Sequence, residues 1–169
     1  LNDLIDQQKL GAYQKFILIV CLLLMIMDGY DIQAMAYAAP MVIDAWNVEK
    51  AMLGVVFSAS LFGLFLGSLL LSSLSDRIGR RPILLFSTFA FSILMLATPH
   101  VQNIEQLAVI RFITGIFLGG IMPNAMAYSA EIVPQKYRIL TMMIVSCGYT
   151  VGPLPGGGIS ALLIPIRGR

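Results

Sequence analysis

The stretch that decides the fold is FILIVCLLLMIM, residues 16–27, with Asp28-Gly29-Tyr30-Asp31 directly after it. It opens an apolar run that continues to Ala45. A helix needs about 20 mostly apolar residues to cross the hydrocarbon core of a bilayer. The twelve residues before Asp28 are too few. A spanning helix therefore has to carry both acids into the membrane.

The two acids are spaced so that they share one face of a helix, because Asp28 and Asp31 lie three positions apart. A charge at mid-bilayer costs about 2.5–3.5 kcal/mol on insertion scales, so such residues face a polar cavity and mark function. Burial and a second carboxylate nearby both favour the protonated form. The pair is therefore the best candidate for proton coupling. The structural alternative is a polar helix face that pairs with other helices.

The composition predicts a polytopic helical membrane protein. Of the 169 residues, 58% are hydrophobic and 12% are charged, and the mean hydropathy is +0.85. A soluble domain has about 25% charged residues. The sequence contains no nucleophile–base–acid set, no metal-ligand spacing and no phosphate-binding loop. We therefore expect no enzyme activity, no cofactor, no metal and no nucleic-acid partner.

Five apolar segments follow a polar tail at residues 1–15, and together they make residues 16–169 a transmembrane region. The segments are 16–42 (closed by Pro40), 51–74, 82–97, 107–130 and 139–166. Lys and Arg concentrate on one side of this arrangement, at positions 9, 15, 77, 80, 81, 136 and 138, against Lys50 and the terminal Arg167 and Arg169 on the other. Because positive loops stay inside, the N-terminus is predicted to be cytoplasmic.

Small residues recur at the spacing that brings membrane helices close together. They are Gly63 and Gly67, Gly115 and Gly119, and Gly148, Gly152 and Gly156. Packing alone is a sufficient explanation for the second segment. The fifth segment contains Gly152-Pro153-Leu154-Pro155, and because proline removes a backbone hydrogen bond we expect a bent helix there, beside a cavity.

The loop Ser75-Asp76-Arg77-Ile78-Gly79-Arg80-Arg81 resembles the cytoplasmic motif Gly-x-x-x-Asp-Arg-x-Gly-Arg-Arg of the major facilitator superfamily. Ser72 stands in place of the leading glycine. Three further features are similar to that superfamily. They are Arg111 with Gly115 and Gly119 in the fourth segment, Gly148-x-x-x-Gly152-Pro153 in the fifth, and the acid Glu131.

Within the superfamily, Asp28-Gly29-Tyr30-Asp31 resembles the first-helix motif of the aromatic acid:proton symporters, which include transporters of the 4-hydroxybenzoate and protocatechuate type. The stretch Gly119-Gly120-Ile121-Met122-Pro123-Asn124 is also similar to that family. The resemblance implies twelve helices in two halves, with the substrate between them. Five helices then represent an N-terminal portion, either a fragment or a truncated gene product, that lacks its C-terminal half.

The resemblance implies an inner-membrane symporter in which protons drive uptake of a small aromatic carboxylate. Arg111 could pair with the acid face of the first segment or hold the substrate carboxylate, which its bidentate guanidinium suits. The alternative is an interfacial arginine that reaches the outer surface. Asn124, Tyr30 and Gln33 are candidates for hydrogen bonds to a ring hydroxyl. Tyr37 and Phe112 are candidates for stacking on the ring, although packing explains most membrane aromatics.

The basic loop motif is predicted to act in gating, through Asp76, Arg77, Gly79, Arg80, Arg81 and the more distant Glu131. Asp76 is placed to cap the helix that follows it. Arg80 is expected to pair with Glu131 when the inner side is closed, and breaking that pair would bias two rigid-body states. The alternative is that the basic residues only set topology.

Two other functions compete with this interpretation. One is transport of a different organic anion or a sugar. The other is a membrane protein that does not transport, either a remnant or a subunit that pairs with another chain.

Overall fold

The computed structural model describes residues 11–46 and 48–154, and in these ranges it is helical with no strand. Within these described ranges, four stretches are long and apolar enough to cross a membrane, which confirms the predicted fold class. The fifth predicted segment extends to residue 166, and only its part up to Leu154 lies within the described residues. The helices are α1 (Ala12–Trp46), α2 (Lys50–Ile78), α3 (Arg80–Ala97), α4 (Ile104–Ile132) and α5 (Arg138–Val151), with short 3₁₀ turns at Thr98–His100 and Gln135–Tyr137.

Pro40 does not close α1, contrary to the prediction, because the helix continues past it. Proline lacks the N–H that would bond to the carbonyl four residues earlier, that of Ala36. The helix continues because every other backbone group in a membrane still needs an internal partner. α1 also begins at Ala12, inside the predicted tail, while residues 1–10 lie outside the described part.

A single residue, Gly79, links α2 to α3. Its φ of 106° lies in the left-handed region that favours glycine. Its N–H donates to the Ser75 carbonyl at 2.8 Å, which closes α2. No side-chain hydrogen bond caps α3, so the prediction that Asp76 caps it is wrong. Asp76 is still part of α2, and its carboxylate lies 3.3 Å from the Arg80 guanidinium.

The described residues belong to two compact units. One contains the residues up to Pro40 and those from Ser129 onward, and the other runs from Met41 to Tyr128. The second unit contains α2, α3 and most of α4; the first contains most of α1 and all of α5.

In the unit from Met41 to Tyr128, α2 and α4 pack through glycines on both helices. Gly63 and Gly67 lie against the backbone of α4, with no room for a Cβ. Gly115 and Gly119 lie in the same way against the backbone of α2. The predicted close packing is confirmed for these four glycines, which we call the α2–α4 seam.

In the other unit, α1 and α5 pack side by side and run in the same direction. Gly148 lies against Leu22 and Met25, and Gly152 lies against the backbone of Ile26 one turn further along. These contacts confirm the predicted close approach at both glycines, and with Gly29 they form what we call the α1–α5 seam. Gly156 and Pro155 lie outside the described residues.

Candidate functional site

The two carboxylates predicted to couple protons are buried near the middle of the 35-residue α1. Asp28 is 3% exposed and Asp31 is 2% exposed. The Oδ1 atom of Asp28 has no hydrogen-bond partner among the described residues. A buried carboxylate oxygen without a donor is unfavourable when charged, so this site favours a proton on Asp28 or an incoming donor.

The glycine between the acids is what brings another helix close to them. Gly29 lies against the backbone of Tyr149 in α5, and a Cβ at this position would collide with the Tyr149 carbonyl. Gly152 is packed beside the backbone of Tyr30. The acids therefore lie on a stretch of α1 that α5 approaches closely.

Tyr149 is not among the residues predicted from the sequence, although its backbone lies directly against Gly29 beside Asp28. The signal that points to it is the spacing of Gly148 and Gly152, which predicts the contact face of α5 without naming the helix it meets. Tyr149 therefore joins the residues that surround the acid pair.

Tyr30 and Gln33 share α1 with the acids but not its face. At about 3.6 residues per turn, both lie on the side of the helix away from Asp28 and Asp31. Both side chains are half-buried. The structure thus separates these two predicted hydrogen-bonding residues from the predicted proton-coupling residues.

Arg111 and Asn124 are both buried in α4, at 6% and 0% exposure. The burial of Arg111 counts against the interfacial alternative, in which its head would reach water. The two residues lie about 20 Å apart along the helix axis. They therefore do not form one cluster on α4, and a substrate-sized carboxylate meets one or the other.

The two polar atoms of the Asn124 side chain differ in their hydrogen bonding. Its amide nitrogen donates to the Gly120 carbonyl at 2.7 Å. Its Oδ1 has no hydrogen-bond partner among the described residues. Because a buried acceptor without a donor is costly, this oxygen is suited to a ligand hydroxyl.

Phe112, the candidate for ring stacking, already stacks within the protein. Its ring lies 6.2 Å from that of Phe62, with an interplanar angle of 20°. Both residues belong to the unit from Met41 to Tyr128. The contact favours the packing interpretation of Phe112.

Of the residues predicted to act in gating, all except Glu131 lie at the α2–α3 link. The Asp76–Arg80 ion pair spans this link, with the Asp76 side chain 65% exposed and that of Arg80 27% exposed. Arg77 and Arg81 are exposed. Glu131 belongs to the other unit, so its pairing with Arg80 stays a prediction.

The helix-bending role of Gly152 and Pro153 also stays a prediction. Regular helix in α5 ends at Val151, directly before these residues. A metal site is not indicated: in the described ranges, no three His, Cys, Asp or Glu side chains come together as a possible ligand set.

Comparison with known proteins identifies the family of this chain. A model described as Major Facilitator Superfamily matches residues 21–168. The gallate transporter of Pseudomonas putida is 40% identical over 167 residues, which are 99% of this chain and 37% of the relative. The 4-hydroxybenzoate transporter of Pseudomonas aeruginosa is 39% identical over 164 residues, 97% of this chain and 37% of the relative.

A third similar protein, the 4-hydroxybenzoate transporter of Acinetobacter baylyi, is 40% identical over 165 residues, 98% of this chain and 36% of the relative. The chain thus spans 36–37% of the length of these relatives. Because the family model covers most of the chain and the described part consists of apolar helices of membrane-spanning length, the chain belongs to the Major Facilitator Superfamily.

Proposed function

We propose that the protein carrying this chain is a proton-coupled symporter that imports aromatic carboxylates such as hydroxybenzoates by alternating access. Relatives named as gallate and 4-hydroxybenzoate transporters support the substrate class, because they match nearly the whole chain. The observation that carries the coupling is the buried Asp28–Asp31 pair at the middle of α1. This function is transport without chemical conversion, not catalysis.

Proton coupling follows from the environment of the pair. One oxygen of Asp28 has no donor among the residues that the structure describes, and two like charges three positions apart oppose each other. Taking up a proton removes both penalties, so the protonated pair suits one state of the transport cycle and the charged pair another. The two states then differ in proton occupancy, which is the requirement for coupling.

Recognition of the substrate falls to α4 in this proposal. Arg111 is a permanent cation that can hold the carboxylate through two parallel hydrogen bonds. The open oxygen of Asn124 accepts from a hydroxyl on the ring, and Tyr30 and Gln33 supply further hydrogen bonds. Because Arg111 and Asn124 lie about 20 Å apart along α4, one small aromatic acid cannot reach both at once, so we assign the carboxylate and the hydroxyl contacts to different moments of transport.

The setting is the inner membrane, with residues 1–15 in the cytoplasm and residues 16–169 in the first half of the transporter. The basic loops 75–81 and 131–138 support this orientation. A second half completes the substrate site. Asp76, Arg80 and Glu131 bias the rocking of the two halves, with Arg77, Gly79 and Arg81 shaping the same loop.

The test separates coupling from binding by comparing two kinds of flux in membrane vesicles. Uptake of radiolabelled 4-hydroxybenzoate is driven by an imposed pH gradient, and exchange is measured with equal substrate on both sides and no gradient. Asp28→Asn and Asp31→Asn imitate the protonated form. We expect gradient-driven uptake to fall at least about tenfold while exchange persists. Asp44→Asn, an exposed acid on the same helix, is the control and keeps both fluxes.

Two results would overturn the proposal. Full gradient-driven uptake by the Asp28→Asn, Asp31→Asn double variant would remove the coupling role. Competition of the uptake by a hexose but not by benzoates would remove the substrate class. Arg111→Gln is expected to lose exchange as well as uptake, because it acts on the substrate and not on the proton.

A further inference from the structure

The buried carboxylate of Asp28 has an oxygen that needs a hydrogen-bond donor whenever the group is charged. Asp28 is 3% exposed, and its Oδ1 atom has no hydrogen-bond partner within residues 11–46 and 48–154. A buried acceptor without a donor is costly, and the cost is larger when the acceptor is charged. Any transport state in which Asp28 is ionised therefore requires a donor near Oδ1.

Helix α5 comes close enough to α1 to bring such a donor. The backbone of Tyr149 lies directly against Gly29, the residue that follows Asp28. Gly152, three residues after Tyr149, lies against the backbone of Ile26. Both helix segments belong to the same compact unit. The two contacts therefore place Tyr149 and Asp28 at a similar height along the paired helices.

The side chains of Asp28 and Tyr149 also lie on the same side of the helix contact. Asp28 comes one residue before the contact residue Gly29, and Tyr149 comes one residue after the contact residue Gly148. One residue is a rotation of about 100°. Because the two helices run in the same direction and face each other, a step back on one and a step forward on the other turn to the same side. The half-buried Tyr149 phenol is accordingly within electrostatic range of the Asp28 carboxylate.

We propose that Tyr149 is a positioning residue for proton coupling, and that its hydroxyl donates to Oδ1 of Asp28 when this carboxylate is ionised. A phenol is a neutral hydrogen-bond donor near neutral pH. The hydroxyl supplies the donor that Oδ1 requires in the charged state, and it is released when Asp28 takes up a proton. This role in transport rests on the proposed function, whereas the hydrogen bond itself does not.

The first experiment measures the protonation of Asp28 in membranes that hold the full protein carrying this chain. Dicyclohexylcarbodiimide reacts with a protonated carboxyl group and not with a carboxylate, and mass spectrometry of peptides locates the adduct. The pH is set where labelling of Asp28 has fallen to about a tenth of its maximum rate. At this pH, Tyr149→Phe is expected to raise the labelling rate about fivefold, because the ionised form loses a charge-assisted hydrogen bond.

Two controls separate the hydroxyl from general effects on the helices. Tyr137→Phe also removes one hydroxyl from a half-buried tyrosine, at the start of α5 and about 18 Å from Tyr149 along the helix axis, and it should leave the labelling unchanged. Asp31 is the internal control in the same digest. An effect of the hydroxyl is confined to Asp28, whereas wider access for the reagent raises the labelling of both acids.

The second experiment measures the consequence for transport. Tyr149→Phe keeps the aromatic ring, so the packing of α5 is retained. Gradient-driven uptake of 4-hydroxybenzoate should fall about tenfold, because each driven cycle passes through the ionised form of Asp28. Exchange without a gradient should persist. Tyr137→Phe should keep both fluxes.

Three outcomes would overturn the proposal. Unchanged labelling of Asp28 in Tyr149→Phe would show that another group meets Oδ1. An equal rise at Asp31, or in Tyr137→Phe, would show that the helices have opened. Increased labelling with full gradient-driven uptake would show that the hydrogen bond does not serve coupling. If Asp28→Asn itself keeps full gradient-driven uptake, the proposed function fails, and the labelling still decides whether the hydrogen bond forms.

Discussion

The α2–α4 seam and the α1–α5 seam are both built from glycines, but they differ in what the glycines have beside them. In the α2–α4 seam each helix contributes two glycines, and all four lie on the backbone of the partner. In the α1–α5 seam, α1 contributes Gly29 alone, and this glycine has the buried Asp28 as its neighbour. The first seam is reciprocal packing; the second places a polar group where two helices meet.

The difference teaches how one packing rule serves two purposes. Lipid provides no hydrophobic drive between helices, so close backbone approach is what joins them. Where both helices contribute glycines, as in the α2–α4 seam, the close approach serves helix packing only. Where a carboxylate stands next to the glycine, the same approach shields the carboxylate from lipid and fixes its position. We therefore expect substitutions in the α2–α4 seam to damage folding, and those in the α1–α5 seam to damage transport as well.

The largest effect is expected from Gly67→Ala in the α2–α4 seam. Its Cβ would collide with backbone atoms of Ile116, which cannot rotate away as a side chain would. We expect a loss of about 3 kcal/mol or more in the free energy of unfolding. The measurement is the midpoint of thermal unfolding in detergent, together with the yield of monodisperse protein.

Gly54→Ala is the matched control for Gly67→Ala, since Gly54 lies on the same helix and no atom of the described residues is within 4 Å of an added Cβ. There the substitution should be neutral or stabilise the helix by about 0.5–1 kcal/mol. Equal unfolding midpoints for the two alanine variants would contradict the assignment of Gly67 to a backbone contact.

An intermediate effect on stability is expected from Gly29→Ala in the α1–α5 seam. The new methyl group would push α1 from the Tyr149 backbone and shift Asp28 with it. We expect a loss of about 1–3 kcal/mol. Gradient-driven uptake per folded molecule should fall further than it does in Gly67→Ala. The measurement is uptake normalised to folded protein in Gly29→Ala and Gly67→Ala. An equal loss in both variants would contradict the proposed functional difference between the two seams.

The sequence predicted the apolar spans, the buried acid pair and the glycine spacing, because each depends on local pattern. It did not predict that α1 passes through Pro40, since the continuation depends on the rest of the backbone staying bonded in a membrane. The spacing of Gly148 and Gly152 predicted a contact but not its partner, so Tyr149 was missed. Partner choice is a property of the tertiary fold.

The helical repeat alone places Tyr30 and Gln33 on a different face of α1 from the acids. Their role in substrate binding stays a prediction. The sequence predicts a capping role for Asp76 because aspartate favours the position before a helix. The one-residue link at Gly79 leaves Asp76 in the last turn of α2 instead.

The smallest effect on stability is expected from Asp76→Asn, which belongs to neither seam. Its ion pair with Arg80 is 3.3 Å long, but the Asp76 side chain is 65% exposed. Exposed pairs contribute about 0–1 kcal/mol, so the unfolding midpoint should hardly move. If the loop only sets topology, substrate exchange should be unchanged too. If the loop biases the two transport states, substrate exchange should change while the unfolding midpoint stays the same. Asp44→Asn, an exposed acid outside the loop, is the control and should change neither exchange nor the midpoint. A stability loss as large as that of Gly29→Ala would instead make Asp76 a packing residue, and the two seams would no longer account for the stability of the described helices.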